Sequence, residues 1–202
     1  MDFSSIGTAA AESEDQSVAK ATARAIPAEG SALMRLVEYY EIGRHASKNP
    51  TYKPSLKTLL VFELLGPKHM QEFDGKKEPM RLTVRVNKTA SAKGKFFPLF
   101  SKMNYDNDAN HMIQLLNKPF LGKLTHNKDG DTTYVNLTDA DGSWQIGAPR
   151  VVDPLTDAVT EVPVPQRSGE LHAFLWENET ITDEQMLAMW EDIFIEGEYA
   201  EK

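Results

Sequence analysis

The chain has no cysteine among its 202 residues. That excludes disulfides, zinc fingers, thiolate metal sites and cysteine nucleophiles, and it suits a reducing compartment. Long apolar runs are also missing. Runs such as Leu59-Leu60-Val61-Phe62 fall far short of the roughly 20 residues a membrane-spanning helix needs. The opening MDFSSIGTAAAESEDQ carries neither a basic region nor an apolar stretch, so no secretory signal is expected. The expected setting is the cytoplasm, with no membrane association.

Signatures of catalysis are lacking as well. The five histidines, His45, His69, His111, His126 and His172, never fall at the HxH or HExxH spacing that puts two ligands on one face. There is no GxxxxGK[ST] phosphate loop, no GxGxxG after a strand and no GxSxG elbow. Asp129-Gly130-Asp131 and Asp139-Ala140-Asp141-Gly142 lack the ligand order of an EF-hand, and both stand where hairpin turns are needed. The expectation is a protein that is not an enzyme, with no catalytic residue, bound metal or cofactor. A metal-dependent nuclease with carboxylates gathered from distant positions stays open as the least favoured reading.

What the chain does have is segregated charge. Its net charge is -8, yet residues 31–130 hold 17 of the 22 Lys and Arg and only 9 of the 30 Asp and Glu. From Glu177 to Glu201 there are nine carboxylates and no Lys or Arg. A basic body inside an acidic protein attracts a polyanion locally, and an acidic tail can compete for that surface or recruit another partner.

Residues 1–27 are rich in Ala, Ser, Thr and acidic side chains without sustained periodicity, and read as a disordered arm ending at Pro27. A long strand is expected from Ala32 to His45, with one of Tyr39 and Tyr40 facing the core and the other facing out. Thr58–Leu65 reads as a central strand, apolar on both faces. Met80–Asn87 alternates cleanly, with Arg81, Thr83, Arg85 and Asn87 on its outer face. Residues 91–103 and 109–117 read as short helical pieces, with Phe97 and Phe100 on the buried side of the first. Phe120–His126 and Thr132–Thr138 form a hairpin around Gly130, and Trp144–Ile146 is a candidate further strand. Residues 149–180 are proline-punctuated and read as an extended linker or wrap. Thr182 and Gln185 resemble a capping box opening a short amphipathic helix in the acidic tail, 181–202. The predicted fold is mainly β: a five-stranded OB-fold-like barrel over 28–148, with a helical segment between strands 3 and 4.

Between Arg44 and Lys102 stand 13 Lys or Arg against four acidic residues, with Tyr52, Phe62, Phe73, Phe96, Phe97 and Phe100 among them. Single-stranded nucleic acid is held by a cationic groove that follows phosphates and by aromatic faces that stack bases, at about 1–3 kcal/mol per base. OB-folds bind oligonucleotides with strands 2 and 3 and the loop between strands 1 and 2. The candidate site is therefore Arg44, Lys48, Tyr52, Lys53 and Lys57 from that loop, Arg81, Arg85 and Lys88 from the third strand, and Lys93 and Lys95 beyond it. Tyr52 is the preferred stacking residue and Tyr40 the second. In the tail, Trp190, Phe194 and Tyr199 are candidates for contacting protein partners.

The order of Pro27-Ala-Glu-Gly30, Arg35-Leu-Val37, Glu41-Ile-Gly43, Leu60-Val-Phe-Glu-Leu-Leu-Gly-Pro-Lys68, Phe120-Leu-Gly122 and Tyr134-Val-Asn-Leu137 resembles the single-stranded DNA-binding proteins of tailed bacteriophages, over residues 27–146. The resemblance implies an OB-fold that coats single strands without strong sequence preference during phage DNA replication, recombination or repair, in the host-cell cytoplasm. It also implies an acidic tail that meets replication or recombination proteins. This chain ends Glu201-Lys202 rather than on an aromatic residue, a departure from the tail pattern. Oligomerisation stays open. The alternative reading is a protein–protein interaction module with a basic barrel, an acidic tail and no nucleic-acid role.

Overall fold

The computed structural model describes residues 25–47, 49–73, 75–176 and 181–193. Most of the arm expected over residues 1–27 lies outside them, as do Lys48, Phe194 and Tyr199. Among the described residues there are ten strands and two α-helices: β1 (Gly30–His45), β2 (Ser55–Leu64), β3 (Met70–Phe73), β4 (Lys76–Asn87), α1 (Phe96–Met103), β5 (Pro119–Asp129), β6 (Thr132–Asn136), β7 (Ile146–Gly147), β8 (Arg150–Val152), β9 (Val159–Glu161), β10 (His172–Phe174) and α2 (Asp183–Ile193). A 3-10 turn at Met112–Leu115 precedes β5. No helix among the described residues is long and apolar enough to cross a membrane.

The protein is mainly β, and its principal sheet runs β3-β4-β2-β1-β5-β6, curled into half a barrel. The five expected strands are β1, β2, β4, β5 and β6. Among the described residues no ladder joins β6 back to β4. The stretch around Gly75 is a hairpin that adds β3 to the outer edge of β4.

β1 is the spine. Along one side it pairs with β2 from Met34 to His45. Along the other it pairs with β5 from Gly30 to Arg35 and then, in parallel, with β10 from Glu38 to Tyr40. The β1–β2 register slips between Leu36 and Glu38. An extra residue in one strand reverses the inside–outside order beyond it and sharpens the twist. Leu36 and Tyr39 therefore both face the core, although they are an odd number of residues apart. Tyr39 is buried and Tyr40 half-buried.

The concave side of the sheet holds the core: Met34, Leu36, Tyr39, Leu60, Phe62, Leu82, Val84, Phe120 and Leu124, closed by Leu99 and Met103 of α1 and by Met112 and Leu115. Phe97, expected inside, is 43% exposed, and Phe100 only borders the core. Leu99 and Met103, one turn apart, face the sheet instead, because that i, i+4 pair forms the inward stripe of a helix of only eight residues. Gly122 is a close-approach position. A Cβ there would stand 2.6 Å from Met34 Cε and 3.0 Å from Leu137 Cδ2.

Residues 149–176, expected as an extended wrap, contain the β8–β9 hairpin and β10, whose pairing with β1 no apolar periodicity announces. The segment before β10 lies across the convex side of the sheet and is clasped by two buried charges. Arg35 donates to the carbonyls of Pro165 (2.7 Å), Val164 (3.1 Å) and Asn117 (2.6 Å). Glu63, 1% exposed, accepts from Ser168 N (2.8 Å), Ser168 Oγ (2.7 Å) and Gly169 N (3.2 Å). A charge survives burial only where such partners replace its water.

Removing the carboxylate should free this strap. Glu63→Ala is expected to cost about 2–3 kcal/mol in urea unfolding, the worth of hydrogen bonds to a buried charge. It should also open a protease-sensitive site within residues 163–170 of the otherwise folded chain. Unchanged stability and cleavage would show that the strap is held by other contacts.

Candidate nucleic-acid interface

Register puts the convex side of the sheet in rows. Arg35, Glu63 and Arg81 are directly paired across β1, β2 and β4; Glu38, Val61 and Thr83 form the next row, and Tyr40, Leu59 and Arg85 the third. Lys57 and Asn87 follow on β2 and β4. Arg81, Thr83, Arg85 and Asn87 are all exposed, so the outward face of the third long strand is basic and polar. The two arginines are four positions apart, which at the strand rise is roughly 13 Å.

The first two rows are largely engaged. Arg81 Nη1 lies 2.5 Å from Glu38 Oε1, and a Cβ at Gly169 of the strap would meet Arg81 Nη2 at 2.8 Å. Arg81 is thus a partner of Glu38 beneath the strap's edge rather than an open phosphate contact. The opposite end of the face is open. Arg85 and Lys57 make no hydrogen bond or ion pair among the described residues, and the loop above them presents Lys53 and Tyr52, the latter 68% exposed. Asn49 organises this loop: its Oδ1 accepts from Thr51 N (3.0 Å) and Thr51 Oγ1 (2.8 Å), and its carbonyl accepts from Tyr52 N (3.1 Å). Such Asx turns hold a loop's shape without strand pairing.

The remaining candidates divide. Lys88 N bonds the Leu56 carbonyl (2.7 Å), which keeps the end of β4 against the start of β2, but its ammonium pairs with Glu41. Lys93 is exposed. Lys95 donates to the Gly142 carbonyl at 2.5 Å and so turns towards the 139–142 turn. Arg44 is exposed, in the irregular stretch where β1 and β2 slip register again. Tyr40 is no open stacking platform. It lines a groove with Phe174, Trp176 and Trp190, and burial, followed by the adjacent Glu38 carboxylate, raises the pKa of its phenol.

Family models, curated proteins and solved structures all fail to match this chain.

Behind the open face sits a polar cluster that sequence reading did not find. Glu41 is 1% exposed; it accepts from Tyr39 Oη (3.0 Å), the Lys88 ammonium and Trp176 N (3.3 Å), and His111 Nε2 lies 3.8 Å away. Burial and then Glu41 raise the Tyr39 pKa. His111 caps the 3-10 turn, with Nδ1 accepting from Ile113 N at 3.3 Å, which requires that nitrogen to be unprotonated. Burial, reinforced by Lys88 and opposed by Glu41, lowers its pKa. No three His, Asp or Glu side chains come together as a metal site among the described residues. His69 is 2% exposed, with Nε2 3.1 Å from the Ala28 carbonyl.

Because His111 is held neutral, the unfolded chain takes up its proton first as pH falls. The stability it contributes is complete above the ordinary imidazole pKa of about 6.5 and is lost as pH drops below it. Urea unfolding of the wild type should weaken more between about pH 7.5 and 5.5 than that of His111→Asn, which keeps a capping side chain. Parallel pH profiles would refute a neutral His111.

Proposed function

We propose that the protein is a non-catalytic, largely sequence-independent single-stranded DNA-binding protein. The observation that carries this reading is the open end of the convex face, where Arg85 on β4 and Lys57 on β2 stand diagonally in successive rows and lead to a loop presenting Lys53 and Tyr52. Cations follow the phosphates, and an exposed ring beside them accepts a base. The strand order supports the same reading. Counting only the five long strands, β4-β2-β1-β5-β6 runs third, second, first, fourth, fifth, with α1 between third and fourth. That is the order of an opened OB-fold, whose second and third strands and first loop bind oligonucleotides. Residues 28–148 are then the binding domain, and a role in phage DNA replication, recombination or repair follows from the resemblance in the sequence. The convex face is shorter than the sequence suggested, since the strap occupies the Arg35–Glu63–Arg81 end.

Fluorescence anisotropy with a labelled oligo-dT of about 30 nucleotides, several site sizes long, tests the reading against duplex DNA. Single strands should bind more tightly than duplex. Affinity should fall steeply between about 50 and 300 mM NaCl, as counterion release demands. Lys57→Glu with Arg85→Glu should weaken binding at least roughly tenfold and flatten the salt slope by about 0.7 per lost phosphate contact. Arg81→Gln should change DNA binding far less. Absence of binding at low salt would sink the proposal and leave the protein-interaction reading.

The acidic helix α2 packs on β10 beside Tyr40, which places Asp183, Glu184, Glu191 and Asp192 near the basic face. A chain ending at Asn178 should therefore bind oligo-dT more tightly than the full chain at low salt, and equally at high salt, where the Debye length falls to a few Å. Equal affinity at low salt would exclude competition by the tail.

A further inference from the structure

Two adjoining hollows lie where the end of β1, β10 and α2 meet. One, of about 410 Å³, is lined by Tyr40, Glu41, Ile42, Gly43, Phe174, Trp176 and Trp190. The other, of about 290 Å³, shares Phe174, Trp176 and Trp190 with it and is completed by Asp183, Met186 and Leu187. They form one continuous groove whose centre is three rings. Phe174 stands 6.0 Å from Trp176, tilted at 46°, and 5.6 Å from Trp190, at 61°.

The rings are fixed from behind and open in front. Trp176 N is anchored on Glu41 Oε2 at 3.3 Å. Gly43, at φ +79°, lies against the Trp176 indole, whose Nε1 would make an ordinary contact at 3.8 Å with a Cβ there. Phe174 is buried, whereas Trp176 is 43% and Trp190 47% exposed. α2 is held by the Thr182–Gln185 capping box (3.0 and 3.2 Å) and by His172 on Asp192 at 3.0 Å.

Charge says what such a groove receives. No lining residue is basic; Asp183 is an exposed carboxylate, while Glu41 is buried against Lys88. Asp183 reaches the groove from α2, a helix that also exposes Glu184, Glu191 and Asp192 and carries no Lys or Arg. Aromatic faces present negative π density, so rings with carboxylates around them attract a cation. A nucleotide would bring its phosphate towards Asp183 and an acidic helix. A neutral apolar plug would leave that negative rim without a counterpart. A guanidinium satisfies both features, because it stacks flat on indole and forks onto carboxylates.

We propose that this groove is a docking site for a partner protein that presents an arginine from a basic segment. The guanidinium stacks on Trp176 and Trp190, the side-chain stem lies over Leu187 and Met186, and neighbouring basic residues meet the α2 rim. The site is separate from the Lys57–Arg85 face, so it stands whether or not that face binds DNA.

The test titrates the full chain with hexa-arginine and hexa-lysine, following tryptophan emission and calorimetry at low and moderate salt. Hexa-arginine should bind more tightly than hexa-lysine and quench emission, since only arginine stacks. Trp176→Leu should weaken hexa-arginine about tenfold, a factor within reach of a cation–π contact, and abolish the preference over lysine. Glu184→Lys with Glu191→Lys, both on exposed positions, should weaken both peptides without disturbing the rings, so the site remains testable if Trp176→Leu unfolds. Equal binding of the two peptides, or hexa-arginine binding indifferent to Trp176→Leu, would reduce the effect to bulk charge and overturn the proposal. A folded Trp176→Leu that loses oligo-dT but keeps hexa-arginine would give the groove to a nucleobase and overturn it equally.

Discussion

The architecture depends on one strand being asked to do several jobs. β1 spans 16 residues and carries β2 on one side and, in succession, β5 and β10 on the other. A flat strand of that length could not face one compact core throughout. The slip between Leu36 and Glu38 adds twist where the neighbour changes. It lets Met34, Leu36 and Tyr39 all reach the core and turns Tyr40 outward. The curl of the sheet, the place for α1 beneath it and the docking of β10 all follow from that irregularity.

A second constraint is the number of charges the sheet buries. Arg35, Glu38, Glu41 and Glu63 are all nearly inaccessible to water, and each is satisfied by a distant part of the chain: Asn117 and the strap for Arg35, Arg81 for Glu38, Lys88 and Trp176 N for Glu41, the strap again for Glu63. Pairs of this kind add less stability than specificity, because the alternative to each partnership is an uncompensated buried charge. Here they fix where residues 163–176 lie. They also explain why a face that reads as uniformly basic is only partly open: the cations nearest the strap neutralise carboxylates that the sheet has taken out of water.

Charge segregation along the chain becomes spatial segregation in the fold. Lys53, Lys57 and Arg85 are at the loop end of the convex face, and the acidic α2 is held beside it through Phe174, Trp190 and Met189. Between the two lies the groove with Trp176 at its centre, so basic, aromatic and acidic surfaces follow one another across a single side of the molecule. The second indole came from a stretch whose prolines and weak hydrophobicity signalled only a linker. Nothing in its local pattern marks Trp176, because its position comes from β10 joining the edge of β1, a contact between residues more than 130 apart in sequence.

The sequence by itself determined the mainly β character, the five long strands, the turns at Gly130 and Gly142, the cap at Thr182 and the outward row from Arg81 to Asn87. These are local properties, written in side-chain alternation, glycines at positive φ and polar residues able to cap. Tertiary structure decided which of the two tyrosines is buried, since a bulge shifts parity with no change in composition. It decided that Leu99 and Met103 rather than Phe97 face the core. It also decided which cations are open: Lys57 and Arg85 look outward, while Arg81 and Lys88 are bound to Glu38 and Glu41. A cation's availability depends on the carboxylates that folding brings to it, and those come from strands and straps whose meeting no local pattern encodes.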